Sequence, residues 1–351
     1  MPTIVDNGNA IMSEVEAFIL DKVPEHPADI SRVTQERFGI SRQAVSRYLQ
    51  RLVRNGLLEA QGATRARTYV LATELHTFTY RLGDGLTEDR VWQNDVEPLL
   101  NSLPANVVDA WHYAITEMVN NAIDHSAGMA LDVAVSRNVR EVNVWITDNG
   151  IGIFRKIRDA LRLDDIRHAV LELSKGKFTT DPARHSGEGI FFTSRVVDEF
   201  AILANGLHAR HRADDHNDWV FDDEQEDKSN TSIFLTLRND SVRTVKEVFD
   251  RFASEDDDYV FNKTIIPVDL VRYGSERVVS RSQAKRLLVR VDRFSKVVFD
   301  FKGVENIGQA FADEIFRVFA GQHPEIELTP INASGDVMKM IRRAQAGARD
   351  G

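Results

Sequence analysis

The stretch Trp111 to Ser126, WHYAITEMVNNAIDHS, sets Ala114, Met118, Ala122 and Ile123 at helical spacing, so one side of a helix faces a core. Glu117, Asn121 and Asp124 stand three and four residues apart and share a stripe on that helix. A carboxylate and a carboxamide one turn apart can hold a hard cation through oxygen or orient a water. The same three residues also read as an ordinary solvated face. The segments that follow decide between these readings.

Downstream, VNVWITDNGIGI alternates Val142, Val144 and Ile146 as a half-buried strand that runs into Asp148, Asn149, Gly150, Ile151 and Gly152. Then comes His185-Ser186-Gly187-Glu188-Gly189-Ile190 ahead of the helical run FFTSRVVDEF, and finally Asn230-Thr231-Ser232 opens the strand IFLTL. In this order the elements resemble the GHKL, or Bergerat-fold, ATPases, which include gyrase, histidine kinases and anti-sigma-factor kinases. Glu117 and Asn121 match the ExxxN box, Asp148, Gly150 and Gly152 the DxGxG box, and Gly187 and Gly189 the GxG box. The resemblance covers about residues 88 to 240.

The chain has 351 residues, enough for two or three domains, with a 42% hydrophobic and 28% charged composition near globular norms. It has no cysteine, which excludes disulfides and thiolate metal sites. No apolar run approaches the ~20 residues of a spanning helix, and MPTIVDNGNA lacks the regions of a signal peptide. We therefore expect a cytoplasmic protein with no membrane contact. The net charge of −10 argues against nonspecific nucleic-acid binding by the whole chain. Between Ile30 and Leu71, however, eight arginines face two glutamates, a local charge of about +6.

That basic module reads as three helices, Ile11 to Lys22, Ile30 to Phe38 and RQAVSRYLQRLVRN, followed by a hairpin with a basic turn from Gly62 to Ala66. It resembles a winged helix-turn-helix domain. The resemblance implies that Arg42, Gln43, Ser46 and Arg47 meet the major groove while Arg65 and Arg67 on the wing meet phosphates or the minor groove. A winged helix used for protein contacts alone is the alternative. At the other end, VVFDFKGVENIGQAFADEIF resembles a STAS-like domain of the anti-anti-sigma type, a module that implies a protein partner. Where those proteins carry a phosphorylatable serine, this chain has Gly308, Gln309 and Ala310, so we expect no phosphorylation there.

The expected architecture is multidomain α+β: a winged helix-turn-helix (1–72), a connector (73–90), a Bergerat-fold α/β sandwich ATPase (91–240), a linker (241–262), a small STAS-like α/β domain (263–345) and a tail (346–351). Within the last domain, Val268, Leu270 and Val271 suggest a strand. The resemblance implies ATP and Mg²⁺ as cofactors. Asp148 would accept the adenine amine, with Thr231 beneath the ring, and Gly150 and Gly152 would let the backbone approach. Gly187 and Gly189 would offer amides to the phosphates, Asn121 would ligate Mg²⁺, and Glu117 would act as general base. Asp124 joins this set as a nucleotide contact. Residues 153 to 186 would form the ATP lid, with Lys175, Lys177 and Thr179 as phosphate donors, although an ordinary basic loop fits the same residues. Three functions follow: an ATP-gated DNA-binding regulator, a serine/threonine kinase acting on a separate protein, and an ATP-dependent signalling adaptor. The DNA-binding module favours the first, and we expect a homodimer.

Overall fold

The computed structural model describes residues 12–63, 66–83, 85–179, 186–213, 219–223, 229–254, 257–272 and 277–346. The N-terminal unit packs α1 (Glu14–Lys22), α2 (Ile30–Phe38) and α3 (Arg42–Arg54) and adds an antiparallel hairpin of β1 (Leu58–Gln61) and β2 (Thr68–Leu71). Ser13 caps α1 through a reciprocal bond with Glu16, and Ser41 caps α3 by accepting the Ala44 N–H at 3.2 Å. Ile11, expected to open the first helix, lies outside the described residues. Ile19, Val23, Val45, Leu49 and Leu52 form a core separate from the rest of the chain.

The central unit is one antiparallel sheet under helices. In chain order its elements are β3 (Glu74–Arg81), α4 (Glu88–Val91), α5 (Glu97–Leu100), α6 (Ala105–His125), β4 (Ala130–Arg137), β5 (Glu141–Asp148), α7 (Ile153–Leu161), α8 (His168–Lys175), α9 (Gly189–Val196), β6 (Glu199–Ala204), β7 (Leu207–Arg212), β8 (Trp219–Asp223) and β9 (Thr231–Arg238). The strand order is β3-β4-β5-β9-β6-β7-β8. Side chains alternate along the strands, so Val133, Val144, Ile146, Ile233 and Leu235 point into the core, while Trp145 and Phe234 pack with tilted rings, centres 5.0 Å apart, on the other face. The stripe Val107, Ala110, Trp111, Ala114, Ile115, Met118, Val119 and Ala122 buries α6 against this core at the 3.6-residue period.

Residues 73–90, read as a connector, hold the edge strand β3, paired with β4 over its full length. His76, Phe78 and Tyr80 alternate as its half-buried side, and the Tyr80 hydroxyl donates to Asp95 at 2.7 Å. Residues 241–262, read as a linker, form α10 (Val245–Asp250), β10 (Ala253–Ser254) and β11 (Asp257–Phe261). Phe249 stacks on Phe192 at 3.9 Å, and Phe252 and Phe261 sit 4.9 and 4.5 Å from Phe191, so this segment closes the core above α9. The acidic run Ser254 to Asp258 inside this segment falls partly outside the described residues.

The C-terminal unit is a parallel sheet of β12 (Lys263–Pro267), β13 (Lys296–Asp300) and β14 (Glu327–Ile331) with α11 (Arg281–Leu288), α12 (Gln309–Asp313), α13 (Ala320–Gln322) and α14 (Gly335–Ala346). Val268 to Val271, expected as a strand, form a 3₁₀ turn after β12, since Pro267 carries no N–H with which to extend the ladder. One hydrophobic core runs without interruption from Val91 to Ala344, joining the central and C-terminal units. Among the described residues no helix is long and apolar enough to cross a membrane.

The aromatic closure over α9 gives a direct test. Phe252 is 1% exposed, and Phe252→Ala is expected to cost roughly 3–5 kcal/mol in urea unfolding, as large cavities do. A linker residue would change stability by about 0.5 kcal/mol or less.

Candidate functional site

The central unit encloses a cavity of about 290 Å³ between the C-terminal half of α6, the ends of β5 and β9, and the start of α9. Its scale and mixed lining suit a small-molecule site. Asp148 ends β5 directly opposite Thr231, the first residue of β9. Its carboxylate is buried and accepts the Gly150 N–H at 2.8 Å, and it also takes hydrogen bonds from the Thr231 main chain and side chain. Burial pushes its pKa above the ordinary carboxylate value, and these bonds only partly offset that. The acceptor is therefore fixed in direction and poor in water.

At the other end, Glu117 reaches from α6 to the first residue of α9. A Cβ on Gly189 would lie 2.1 Å from a Glu117 carboxylate oxygen, so a side chain there would displace that carboxylate from its place over the helix start. Gly187 adopts φ +74 with its backbone against Phe178, whose N–H donates to the Gly187 carbonyl at 3.2 Å. Thr179, Ser186 and Glu188 complete this end. Burial raises the pKa of Glu188, while the charge of nearby Lys177 and a hydrogen bond with Ser186 pull it down. The Tyr113 hydroxyl is pushed well above its usual value by burial and by the two carboxylates Glu117 and Glu188.

Of the residues singled out from sequence, Glu117, Asn121, Asp148, Gly152, Thr179, Gly187, Gly189 and Thr231 line the cavity. Four others do not. Gly150 packs against the Ser126 carbonyl, where a Cβ would not fit, and serves the turn instead. Asp124 lies outside the lining, and its charge acts on Lys156. Lys175 is completely buried, and its Nζ donates to Glu172 at 2.6 Å and to the Val289 carbonyl at 2.9 Å, away from the cavity. Lys177 donates to the Arg293 carbonyl at 3.1 Å and lies over the Phe294 ring. The two lysines expected at phosphates thus face the C-terminal unit.

Sequence reasoning missed Lys156 and Glu188, which both line the cavity. Lys156 Nζ donates to the His125 carbonyl at 2.7 Å and so ties the last turn of α6 to α7; burial lowers its pKa. Its position four residues past Gly152, on the turn of helix that opens there, is the signal that was available. In the N-terminal unit, Arg42, Gln43, Arg47 and Arg67 are exposed, Ser46 is half-buried, and Arg65 lies outside the described residues.

Comparison with known families agrees with this geometry. A search among curated proteins found no match. Residues 106–241 match the family model of histidine kinase-, DNA gyrase B- and HSP90-like ATPases, and residues 283–338 match that of a STAS-like domain of unknown function. The chain therefore joins an ATPase domain of the histidine kinase, gyrase and HSP90 type to a C-terminal STAS-like domain.

Proposed function

We propose that the protein is an ATP-binding, ATP-hydrolysing regulator that binds DNA through its N-terminal unit, with nucleotide state gating the DNA or partner contact. The observation that carries the reading is the cavity itself, with a buried acceptor, Asp148, at one end and Glu117 over the α9 N-terminus at the other. The residues fit ATP and Mg²⁺. Asp148 is an acceptor placed for the exocyclic amine of adenine. Asn121 has its Nδ2 buried without a hydrogen-bond partner, and turning the amide over would put Oδ1 there, a suitable ligand for a hard cation. The N-terminus of α9, with Gly187 and Gly189, offers amides and a positive dipole end to phosphates. Bound ATP·Mg²⁺ supplies the phosphoanhydride bond that is broken. Glu117 takes the proton of the attacking water, Thr179 and Ser186 donate hydroxyls, and Lys156 holds α6 in register.

The gating part of the reading draws on the contact between units. Arg140 donates to the Asp21 carbonyl at 2.7 Å, and both Arg140 and Arg238 pair with the Asp21 carboxylate, at 3.4 and 3.9 Å. Glu141 opens β5 beside this contact and Arg238 ends β9 at it, while Asp148 and Thr231 stand at the far ends of the same paired strands. Movement at the nucleotide therefore has a stiff route to α1, through which a homodimer would also transmit it. The three helices and hairpin support the winged helix-turn-helix reading, with Arg42 and Arg47 exposed on α3 for the major groove. Phosphoryl transfer to the chain's own STAS-like domain gains no support. A Cβ on Gly308, the N-cap of α12, would lie 2.5 Å from the Val279 carbonyl, so no serine fits at that position.

Asp148→Asn is expected to weaken ATP binding roughly 10- to 100-fold, the value of a hydrogen bond to a charged group. In the unchanged chain, affinity measured by calorimetry should fall as pH drops through the raised Asp148 pKa, because the ionised carboxylate accepts from the amine more strongly than the neutral acid does. That decline should begin at a higher pH than an ordinary carboxylate would give, and Asp148→Asn should abolish it. Pulling the other way, an affinity flat with pH in the unchanged chain removes Asp148 from adenine recognition.

Glu117→Gln should leave ATP affinity within a few-fold and slow phosphate release ~10²-fold, the usual contribution of a general base. Equal turnover by variant and unchanged chain rules out that role.

Replacing Arg42 and Arg47 together with alanine should abolish specific DNA binding in a mobility-shift titration while ATP affinity holds. Binding by the unchanged chain should weaken steeply with added salt as counterions are released. Salt-insensitive binding retained by the double variant overturns the DNA reading.

A further inference from the structure

We infer that the STAS-like domain is a working part of the nucleotide site, because Arg290 and Arg293 on the loop after α11 position the segment Gly176–Thr179 that walls the phosphate end of the cavity. This deepens the reading of that cavity as an ATP site and rests on it. Arg290 reaches across to the ATPase domain with both ends of its fork. Nη1 donates to Glu172 at 3.0 Å and Nη2 to the Gly176 carbonyl at 2.9 Å, and its guanidinium lies 5.2 Å from the Phe178 ring centre. Arg293 Nη1 donates to the Lys177 carbonyl at 3.0 Å, while Lys177 Nζ returns a bond to the Arg293 carbonyl. Thr264 on β12 adds a bond from Oγ1 to the Lys175 carbonyl at 2.8 Å. Three consecutive carbonyls, of residues 175, 176 and 177, are thus held by side chains of the STAS-like domain.

The next two residues, Phe178 and Thr179, line the cavity. The Phe178 N–H then bonds the carbonyl of Gly187 in the GxG box. A continuous chain of bonds therefore runs from Arg290 through Gly176 and Phe178 to the phosphate end. It is anchored by charge that water does not reach. Lys175 and Arg290 share Glu172, and Lys175 Nζ also donates to the carbonyls of Arg286 and Val289 at the C-terminus of α11, the negative end of that helix dipole. A domain that docked only as a passenger would not need two buried cations on its interface. The arrangement fixes one wall before any ligand arrives, which is how binding sites limit the entropy lost on binding.

The test uses the full chain and the variants Arg290→Ala, Arg290→Lys and Arg293→Ala, read by amide hydrogen exchange without ligand and by calorimetry with ATP·Mg²⁺. Exchange at Phe178 is expected to speed up roughly tenfold or more in Arg290→Ala and Arg293→Ala, with amides of β5 and β9 unchanged, and ATP affinity to drop by a similar factor. Arg290→Lys should not restore either value, because one ammonium cannot span Glu172 and the Gly176 carbonyl. Asp148→Asn should lose affinity with Phe178 exchange unaltered, which separates this positioning from ligand contact. Should Arg290→Ala fail to fold, Arg293→Ala decides, since its side chain lies on the surface. Exchange and affinity both unchanged in Arg293→Ala and Arg290→Lys overturn the inference. If the unchanged chain binds no ATP, the nucleotide reading falls on its own, and exchange at Phe178 still decides whether the loop positions the wall.

Discussion

The pairing of β5 with β9 is the constraint on which the rest of the molecule depends. Val142, Val144, Ile146 and Asp148 oppose Leu237, Leu235, Ile233 and Thr231 and put all eight side chains into the core. A slip of one residue would turn that set toward solvent and bring Trp145 and Phe234 inside, so the hydrophobic pattern fixes the register. That register places a carboxylate at the buried end of β5. Its burial is unfavourable unless hydrogen-bonded, and the bonds come from Thr231 and the Gly150 turn. The turn in turn sets where α7 starts, and with it Lys156 and the end of α6.

What could be read from the sequence was local. The α6 stripe, the alternation of β5 and β9, and the glycines before α9 each show within a window of about ten residues, and all lie where the periodicity puts them. The cavity could be foreseen because these elements carry most of its lining. β3 was not legible, because its half-buried side is His76, Phe78 and Tyr80, with polar residues between and an exposed Leu75. The Phe249–Phe261 segment was not either. Its aromatic residues find partners on α9, about sixty residues upstream, and a helix, a turn and a strand spaced this way have no common period.

Lys175 and Lys177 show the same limit at the level of one side chain. A lysine on a loop before a glycine box reads as a phosphate donor, because charge is visible in a sequence and direction is not. The direction of Lys175 is set by α8, which turns it toward the carbonyl end of α11, more than a hundred residues further along the chain. Once the ammonium is there, Glu172 becomes necessary, since an unpaired buried cation is strongly unfavourable. The helix face of α8 and the C-terminus of α11 then form a buried polar joint in the boundary between domains.

With Lys175 turned away, the described lining at the phosphate end carries less positive charge than the sequence suggests, and Lys177 acts there only through its charge on Glu188. Glu117 and Glu188 face that end, while Lys156 is the one lysine in the lining and already bonds the His125 carbonyl. A polyphosphate brought there would meet two carboxylates, offset by Lys156 and by the dipole end of α9, which amounts to about half a charge. Low local dielectric enlarges that repulsion. On the proposed reading a divalent cation would supply attraction there, and Asn121, whose Nδ2 has no hydrogen-bond partner, stands on the same face of α6 as Glu117. On the proposed reading, a site with this lining would favour the metal–nucleotide complex over the free nucleotide. A carboxylate at the middle of the GxG box is consistent with that choice, because it raises the electrostatic penalty for binding the anion without its metal.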